Sequence, residues 1–213
     1  MQRTRIKICG ITREEDLCCA VESGADAIGL VFYPQSPRYI APEKAALLTR
    51  DLPPFITLVG LFVNAQPTEI AAVRQQVPLT LLQFHGDELA ADCLDHGLPF
   101  IRAARVQPDL DLLKYRQQFS SAQALLLDAF VQGYGGGGEV FDWTLIPEEI
   151  AHQAVLSGGL NAQNVAEAIA KIRPYAVDVS SGVESAKGIK DHQKIRSFIE
   201  AVRAADLQLS ASA

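Results

Sequence analysis

The sequence predicts an α/β protein, a single-domain (β/α)8 TIM barrel, because two kinds of segment alternate along its whole length. Eight short runs of β-branched and large apolar residues recur about every 20 to 30 residues, and helical patterns lie between them. A length of 213 residues suits one such barrel, and no change in composition marks a domain boundary. A doubly wound open sheet, which also alternates strands and helices, is the alternative that this pattern leaves open.

Each predicted strand is a short apolar run of the length that strands usually have. In chain order the eight runs are RIKIC, DAIGLVF, ITLVGLFV, LTLLQF, PFIRAA, ALLLDA, AVLSGG and YAVDVSS. We assign residues 1–205 to the barrel domain. We expect a frayed C-terminal tail over residues 206–213, where the chain ends in LQLSASA.

The predicted helices carry start, stop and periodicity signals. In TREEDLCCAVESG, Thr12 and Glu15 have the spacing of a capping box, and Gly24 is a suitable stop. Two later segments place apolar residues on one helical face. These residues are Val165, Ala168, Ile169 and Ile172 in one segment, and Ile195, Phe198, Ile199 and Val202 in the other.

Composition and charge exclude several classes of partner. The net charge is −6 and the sequence has no basic block, which argues against nucleic acids and anionic membranes as partners. No apolar run reaches the ~20 residues of a membrane span. The four cysteines show neither a CxxC motif nor a Cys/His cluster, so we expect no disulfide framework and no zinc site. The absence of an apolar N-terminal segment indicates the cytoplasm.

Strand alternation directs a set of polar side chains into the barrel. Lys7 and Cys9 share one face of the first strand, and Asp178 and Ser180 share one face of the eighth. Helices cover the outside of such a barrel, so the apolar faces point outward and these four residues point inward. Asp128, near the end of the sixth strand, belongs at the rim. Active sites of this fold lie at the C-terminal ends of the strands.

Structural interpretations of the same residues stay open. Cys9 suits the role of a small core residue, Asp128 that of a turn or helix cap, and Lys7 and Asp178 that of a buried ion pair. The coincidence of a thiol, two carboxylates and an ammonium at one barrel mouth favours a functional site, since unpaired buried charge is costly.

Two small-residue loops follow the seventh and eighth strands, in LSGGL and SSGVE. Small residues let backbone N–H groups approach an anion, and these two loops often bind phosphate in (β/α)8 enzymes. The alternative is that the glycines serve tight turns with positive φ. The candidate phosphate-binding residues are Gly158, Gly159, Ser180, Ser181 and Gly182.

The motifs KICGIT, GLVFYPQSPRYI, VGLFVN, LQFHGDE, LLLDA, FDW, SGGL and VDVSSGVE occur in this order. The chain thereby resembles the phosphoribosylanthranilate isomerase family over nearly its whole length. The resemblance implies a (β/α)8 barrel that performs an Amadori rearrangement in tryptophan biosynthesis on a small phosphorylated substrate. It implies no cofactor and no metal, and it favours a monomer.

The resemblance also implies roles for individual residues. Asp128 is expected to be the general acid, Cys9 the general base, and Arg38 the clamp on the anthranilate carboxylate. Asp178 is carried over as a substrate-binding residue of the active site. An unperturbed cysteine has a pKa of ~8.5 and an aspartate one of ~3.9, the reverse of what these roles need at neutral pH. We expect Lys7 to favour the Cys9 thiolate.

Gln83 and His85 end the fourth strand, and we expect both to line the substrate pocket. His85 also fits the role of a structural histidine with satisfied hydrogen bonds, and the sequence leaves this open. One departure from the family pattern lies in GYGGGG, Gly133 to Gly138, where Gly137 stands at a position that is usually threonine. A run so rich in glycine predicts a mobile lid.

Two other functions compete with this interpretation. A histidine-pathway isomerase runs a similar Amadori step, but it resembles two fused half-barrels and uses paired aspartates, whereas Cys9 stands at the first acidic position. A catalytically silent phosphometabolite-binding barrel would be expected to lack Cys9 or Asp128, and both are present.

Overall fold

A computed structural model describes residues 3–129 and 141–211 of the chain. Eight parallel strands pair in sequence order, and β1 pairs with β8, so the sheet closes into a barrel. The closed order confirms the barrel and rules out the open sheet. The strands are β1 Arg5–Cys9, β2 Ala27–Val31, β3 Thr57–Phe62, β4 Leu81–Phe84, β5 Phe100–Val106, β6 Leu125–Ala129, β7 Val155–Leu156 and β8 Ala176–Val179. A hairpin of β9 Glu184–Ala186 and β10 Ile189–Lys190 follows the barrel.

Helices surround this barrel. They are α1 Glu14–Ser23, α2 Pro42–Leu48, α3 Pro67–Gln76, α4 Leu112–Gln118, α5 Glu148–Ala151, α6 Val165–Ile172 and α7 His192–Ala211. About eight helices are expected from the pattern, but a short 3₁₀ turn, Ala91–Cys93, joins β4 to β5. Asp95 and Gly97 in that connection have φ of 62° and 66°, a conformation that an α-helix cannot include.

The start of α1 differs from the predicted capping box, whereas its end agrees with the prediction. Arg13 is the N-cap and no side chain caps the helix. Thr12 Oγ1 instead donates to the carbonyl oxygen of Gly188 at 2.6 Å, so the predicted pairing of Thr12 with Glu15 is wrong. Gly24 ends the helix with a φ of 99°, as predicted.

Apolar side chains fill the space on both sides of the barrel wall. Ile6, Ile8, Val177 and Val179 belong to the core between strands and helices, which confirms the predicted outward faces. The predicted apolar faces of α6 and α7 pack into the same core, where Ile172 is only partly buried. A second cluster fills the barrel interior with Ile101, Ala103, Ala124, Leu126, Val155 and Ala176.

Residues 206–211 of the segment for which a frayed tail is predicted are helical, and residues 212 and 213 lie outside the described residues. Helix α7 continues through Ala211. Asp206 accepts hydrogen bonds from the backbone N–H of Thr4 at 2.8 Å and from its hydroxyl at 2.7 Å. These bonds attach the last turns of the helix to the residue before β1 and stabilise the helix there. No helix in the described part of the chain is long and apolar enough to span a membrane.

Candidate active site

A polar cluster occupies the barrel mouth at the carboxyl ends of the strands. Cys9 is the last residue of β1, Asp128 the last but one of β6, and Asp178 the last but one of β8. All three side chains are buried. The strand ends therefore bring together the inward-facing residues that the sequence singled out.

Lys7 and Asp178 form a buried ion pair beneath Cys9. The Lys7 ammonium donates to Asp178 Oδ1 at 2.8 Å, and the Ser157 hydroxyl donates to Asp178 Oδ2 at 3.3 Å. The two residues lie opposite each other in the β1–β8 register, which confirms the predicted facing. The structural and functional interpretations of Lys7 and Asp178 are compatible, because this buried ion pair also places a positive charge beside the thiol.

The Cys9 thiol is stabilised in its neutral form. Burial raises the pKa of Cys9 above the usual cysteine value, and the nearby Lys7 ammonium offsets only part of that rise. Lys7 thus lowers the pKa of Cys9, as predicted, but its effect is smaller than the effect of burial. In the free protein, most of Cys9 is a thiol at neutral pH.

Gly29 on β2 makes room for this thiol, and sequence reasoning missed it. A Cβ atom at Gly29 would lie 2.8 Å from Cys9 Sγ and 3.2 Å from Lys7 Cε. Any larger residue would displace the thiol or the ammonium. The available signal was a glycine inside an apolar strand, which often marks a close approach.

Asp128 faces a buried pair of polar side chains from the end of β4. His85 Nε2 lies 3.2 Å from Asp128 Oδ2, and the Gln83 amide nitrogen lies 2.9 Å from His85 Nδ1. Within the described residues, Gln83 Oε1 is buried and has no hydrogen-bond partner, whereas the Asp128 carboxylate is the polar neighbour of His85 Nε2. These contacts fit both a structural histidine and a histidine that lines the substrate pocket.

Arg38 is buried at the mouth rather than exposed on the surface. Its Nε and Nη2 donate to the two carboxylate oxygens of Glu184 at 2.7 and 2.8 Å. Lys190 Nζ donates to Glu184 Oε1 at 3.0 Å. Sequence reasoning missed Glu184 and Lys190. The available signal was a pair of charged residues following the eighth strand in SGVESAKGIK.

The two candidate phosphate loops lie against each other beside Cys9. A Cβ atom at Gly182 would be 1.9 Å from the Leu160 carbonyl oxygen, so the loops touch there. The hydroxyl of Ser180 donates to the Cys9 carbonyl oxygen at 3.1 Å. Ser181 begins a 3₁₀ turn that ends at Val183.

Turn geometry explains part of the glycine content of these loops. Gly158 and Gly159 have φ of 80° and 63°, as the alternative interpretation requires. A Cβ atom at Gly158 would also lie 3.2 Å from Asp128 Oδ1. Phosphate binding by the loops stays a prediction.

Neither a metal-binding cluster nor the glycine-rich lid segment is part of the site that the described residues form. No group of three or more His, Cys, Asp or Glu side chains within residues 3–129 and 141–211 is placed to hold a metal ion. The four cysteines are all unpaired. The glycine-rich segment Gly133 to Gly138, with Gly137 in it, lies outside the described residues.

Comparison with known proteins identifies similar chains. A family model described as N-(5′-phosphoribosyl)anthranilate (PRA) isomerase matches residues 6–201. The N-(5′-phosphoribosyl)anthranilate isomerase of Methylibium petroleiphilum is 61% identical over 210 residues, which cover 99% of both chains. These matches confirm the resemblance seen in the motifs.

Solved structures agree with both the fold and the sequence match. A phosphoribosyl anthranilate isomerase in complex with reduced 1-(o-carboxyphenylamino)-1-deoxyribulose 5-phosphate has a TM-score of 0.82 and 44% identity. Monomers generated from the dimeric isomerase of Thermotoga maritima have a TM-score of 0.83 and 41% identity. Each comparison covers 94% of this chain and 99% of the other.

Proposed function

The chain belongs to the N-(5′-phosphoribosyl)anthranilate isomerase family, and from this premise we propose how its own residues carry out the reaction. It is a cofactor-independent isomerase of tryptophan biosynthesis. An Amadori rearrangement converts N-(5′-phosphoribosyl)anthranilate into 1-(2-carboxyphenylamino)-1-deoxyribulose 5-phosphate. The match favours this activity over the histidine-pathway isomerase and over a silent binding barrel.

Asp128 acts as general acid and Cys9 as general base. Asp128 gives a proton to the furanose ring oxygen, the bond from C1′ to that oxygen breaks, and the nitrogen lone pair forms the C=N bond. The Cys9 thiolate then takes the proton from C2′, and the enolamine that forms tautomerises to the ketose. The observation that carries this proposal is the placement of the two buried groups at one barrel mouth, on β1 and β6.

Other residues at the mouth suit the remaining parts of the substrate. Arg38 binds the anthranilate carboxylate, because a guanidinium matches a carboxylate with two parallel hydrogen bonds. The apolar cluster of Val31, Leu61 and Val63 beside Cys9 provides a wall for the aromatic ring.

The sugar and phosphate face the polar side of the mouth. Gln83 Oε1, which lacks a hydrogen-bond partner within the described residues, is available to sugar hydroxyls, and His85, whose Nε2 lies 3.2 Å from Asp128 Oδ2, lines the same side of the pocket. Asp178 is a substrate-binding residue on the same face, and it also holds Lys7 in place. Backbone N–H groups of Gly158, Gly159, Ser180, Ser181 and Gly182 hold the phosphate.

Loss of substrate fluorescence during turnover tests this function and these roles. The wild-type protein should convert the substrate, and absence of turnover would overturn the function. Turnover that is insensitive to both Cys9→Ala and Asp128→Asn would overturn the roles instead. Those two variants therefore separate the activity from its assignment to residues.

The pH at which Cys9 reacts with an alkylating reagent should move in opposite directions in two variants. Lys7→Met removes the ammonium that lowers the pKa of Cys9, so alkylation should shift to higher pH. Asp178→Asn removes a negative charge that raises this pKa, so alkylation should shift to lower pH. Because the reactive form is the thiolate, each profile rises with pH, and iodoacetamide rates across pH measure it.

Folding controls accompany this pair of variants. Each change leaves one buried charge of the Lys7–Asp178 pair without its partner, so the free energy of unfolding should fall in both. A common loss of stability cannot produce opposite shifts in alkylation pH. An unchanged profile in Lys7→Met would remove Lys7 from the account of thiolate formation.

We also propose that the protein acts as a monomer in the cytoplasm. The absence of a membrane-spanning helix in the described chain is consistent with that compartment. The family includes a dimeric member, so the oligomeric state needs a direct measurement. Sedimentation velocity should give a mass near 23.1 kDa, and a mass near twice that value would show a dimer.

A further inference from the structure

Arg38 uses only one edge of its guanidinium within the protein. Nε and Nη2 donate to Glu184 as a fork. Within the described residues, Nη1 takes part in no hydrogen bond. A guanidinium carries five N–H donors in a planar arrangement, so the Nη1 edge can form a second fork with another carboxylate.

A second buried arginine shows what a purely structural pair looks like here. Arg102 Nη1 donates to Glu88 Oε2 at 2.8 Å and to the Phe84 carbonyl oxygen at 3.0 Å. Its Nη2 donates to the Gly86 carbonyl oxygen at 2.9 Å. Both terminal nitrogens are thus used inside the protein, whereas Arg102 Nε is buried and has no hydrogen-bond partner within the described residues. Arg38, with one terminal nitrogen left over, differs from this pattern.

Lys190 sets the charge of the group around Arg38. Its ammonium is fully buried and donates to Glu184 Oε1, to the Ser180 carbonyl oxygen at 3.0 Å and to the Ser180 hydroxyl at 3.3 Å. One carboxylate therefore lies between two cations, and the group has a net charge of +1. One more carboxylate would balance that charge, and the substrate carries one.

Glu184 is ionised when it holds Arg38. Burial raises the pKa of Glu184, but the Arg38 hydrogen bonds and the Lys190 charge outweigh that effect, and the pKa lies below the usual glutamate value. At neutral pH the fork is therefore a charge-assisted pair of hydrogen bonds.

The β9–β10 hairpin holds this carboxylate in one position. Gly188 N–H donates to Glu184 Oε1 at 3.3 Å, and Lys194 Nζ donates to the Glu184 carbonyl oxygen at 2.8 Å. A Cβ atom at Gly188 would lie 2.8 Å from the Pro37 carbonyl oxygen, so the hairpin packs directly on the loop that carries Arg38.

We propose that Glu184, fixed by Lys190 and the β9–β10 hairpin, positions Arg38 so that its Nη1 edge faces the anthranilate carboxylate. Glu184 is thereby a specificity-determining positioning residue, and it does not touch the substrate. The substrate carboxylate adds to the existing fork and does not replace Glu184 on Arg38. The inference rests on the proposed role of Arg38 as the carboxylate clamp.

Binding of two stable ligands to the full chain tests this positioning. One ligand is reduced 1-(o-carboxyphenylamino)-1-deoxyribulose 5-phosphate, and the other is its phenylamino counterpart, which lacks the carboxylate. Calorimetry of the wild type should show roughly 10- to 100-fold tighter binding of the carboxylated ligand, the range of a charged hydrogen-bonded pair. The ratio of the two dissociation constants is the readout.

Two variants of Glu184 should lower that ratio. Glu184→Gln keeps the shape and removes the charge, whereas Glu184→Asp keeps the charge and shortens the reach. In both, the ratio should fall by roughly tenfold while affinity for the phenylamino ligand stays within about threefold of wild type. The matched control, Glu88→Gln, breaks the buried pair with Arg102 and should keep the wild-type ratio.

The outcomes separate this inference from the proposed function. A wild-type ratio near unity would overturn the role of Arg38 itself. A large wild-type ratio that stays the same or increases in both Glu184 variants would overturn the positioning role alone.

A measurement on the wild-type protein covers the case in which the variants do not fold. The ¹⁵Nε–H signal of Arg38 should be protected from solvent exchange both before and after the carboxylated ligand binds, because Glu184 keeps this bond. Loss of that protection on binding would show that the ligand replaces Glu184, and this would overturn the proposal.

Discussion

Replacing Cys9 by alanine is expected to lower kcat by roughly 10²- to 10⁴-fold, the range that a positioned general base contributes. The thiolate takes the C2′ proton, and alanine offers no group that can do so. KM should change little, since the carboxylate, ring and phosphate contacts come from other residues. Because burial raises the pKa of Cys9, only a small fraction of the wild-type enzyme carries the thiolate at neutral pH.

A second buried thiol provides the matched control for this variant. Cys93 is as buried as Cys9 but lies in the turn between β4 and β5, away from the mouth. Cys93→Ala should keep the wild-type kcat at a similar cost in the free energy of unfolding, measured in urea. A Cys9→Ala enzyme within about threefold of the wild-type kcat would contradict the role of general base.

The parts of the molecule that could be predicted from the sequence follow from local rules. Side chains alternate along a strand, so Lys7, Cys9 and Asp178 could be assigned to the barrel interior from their spacing alone. Parallel strands in a barrel all end at one face, so Asp128 could be assigned to the same mouth. The barrel, and the placement of these four side chains in it, needed no long-range contact to be known.

The parts that could not be predicted depend on contacts between residues far apart in the chain. Glu184 pairs with Arg38 across 146 residues, and no periodicity links the two. Thr12 has a good capping sequence but donates to Gly188, because the β9–β10 hairpin offers a carbonyl oxygen there. Gly29 matters only because Cys9 lies on the neighbouring strand. In each case the role of the residue depends on a contact with a residue that is distant in the sequence, and the local sequence does not show that contact.

Asp128→Asn is expected to lower kcat by a similar factor of roughly 10²- to 10⁴-fold. Asparagine keeps the shape of the side chain and can keep the 3.0 Å bond that Oδ1 accepts from the Ala129 N–H. It has no acidic proton to give to the furanose ring oxygen, so ring opening slows. The free energy of unfolding should be close to that of the wild type, and kcat within about threefold of wild type would contradict the role of general acid.

The order of the two proton transfers allows the roles of Asp128 and Cys9 to be distinguished by substrate deuterated at C2′. Ring opening precedes removal of the C2′ proton. If Asp128 is the acid, Asp128→Asn makes ring opening rate-limiting, and the isotope effect on kcat should fall toward unity. If Cys9 is the base, Cys9→Ala makes removal of the C2′ proton rate-limiting, and the isotope effect should rise. Equal isotope effects in the two variants would mean that both residues act on the same step, and the division of labour between β1 and β6 would be wrong.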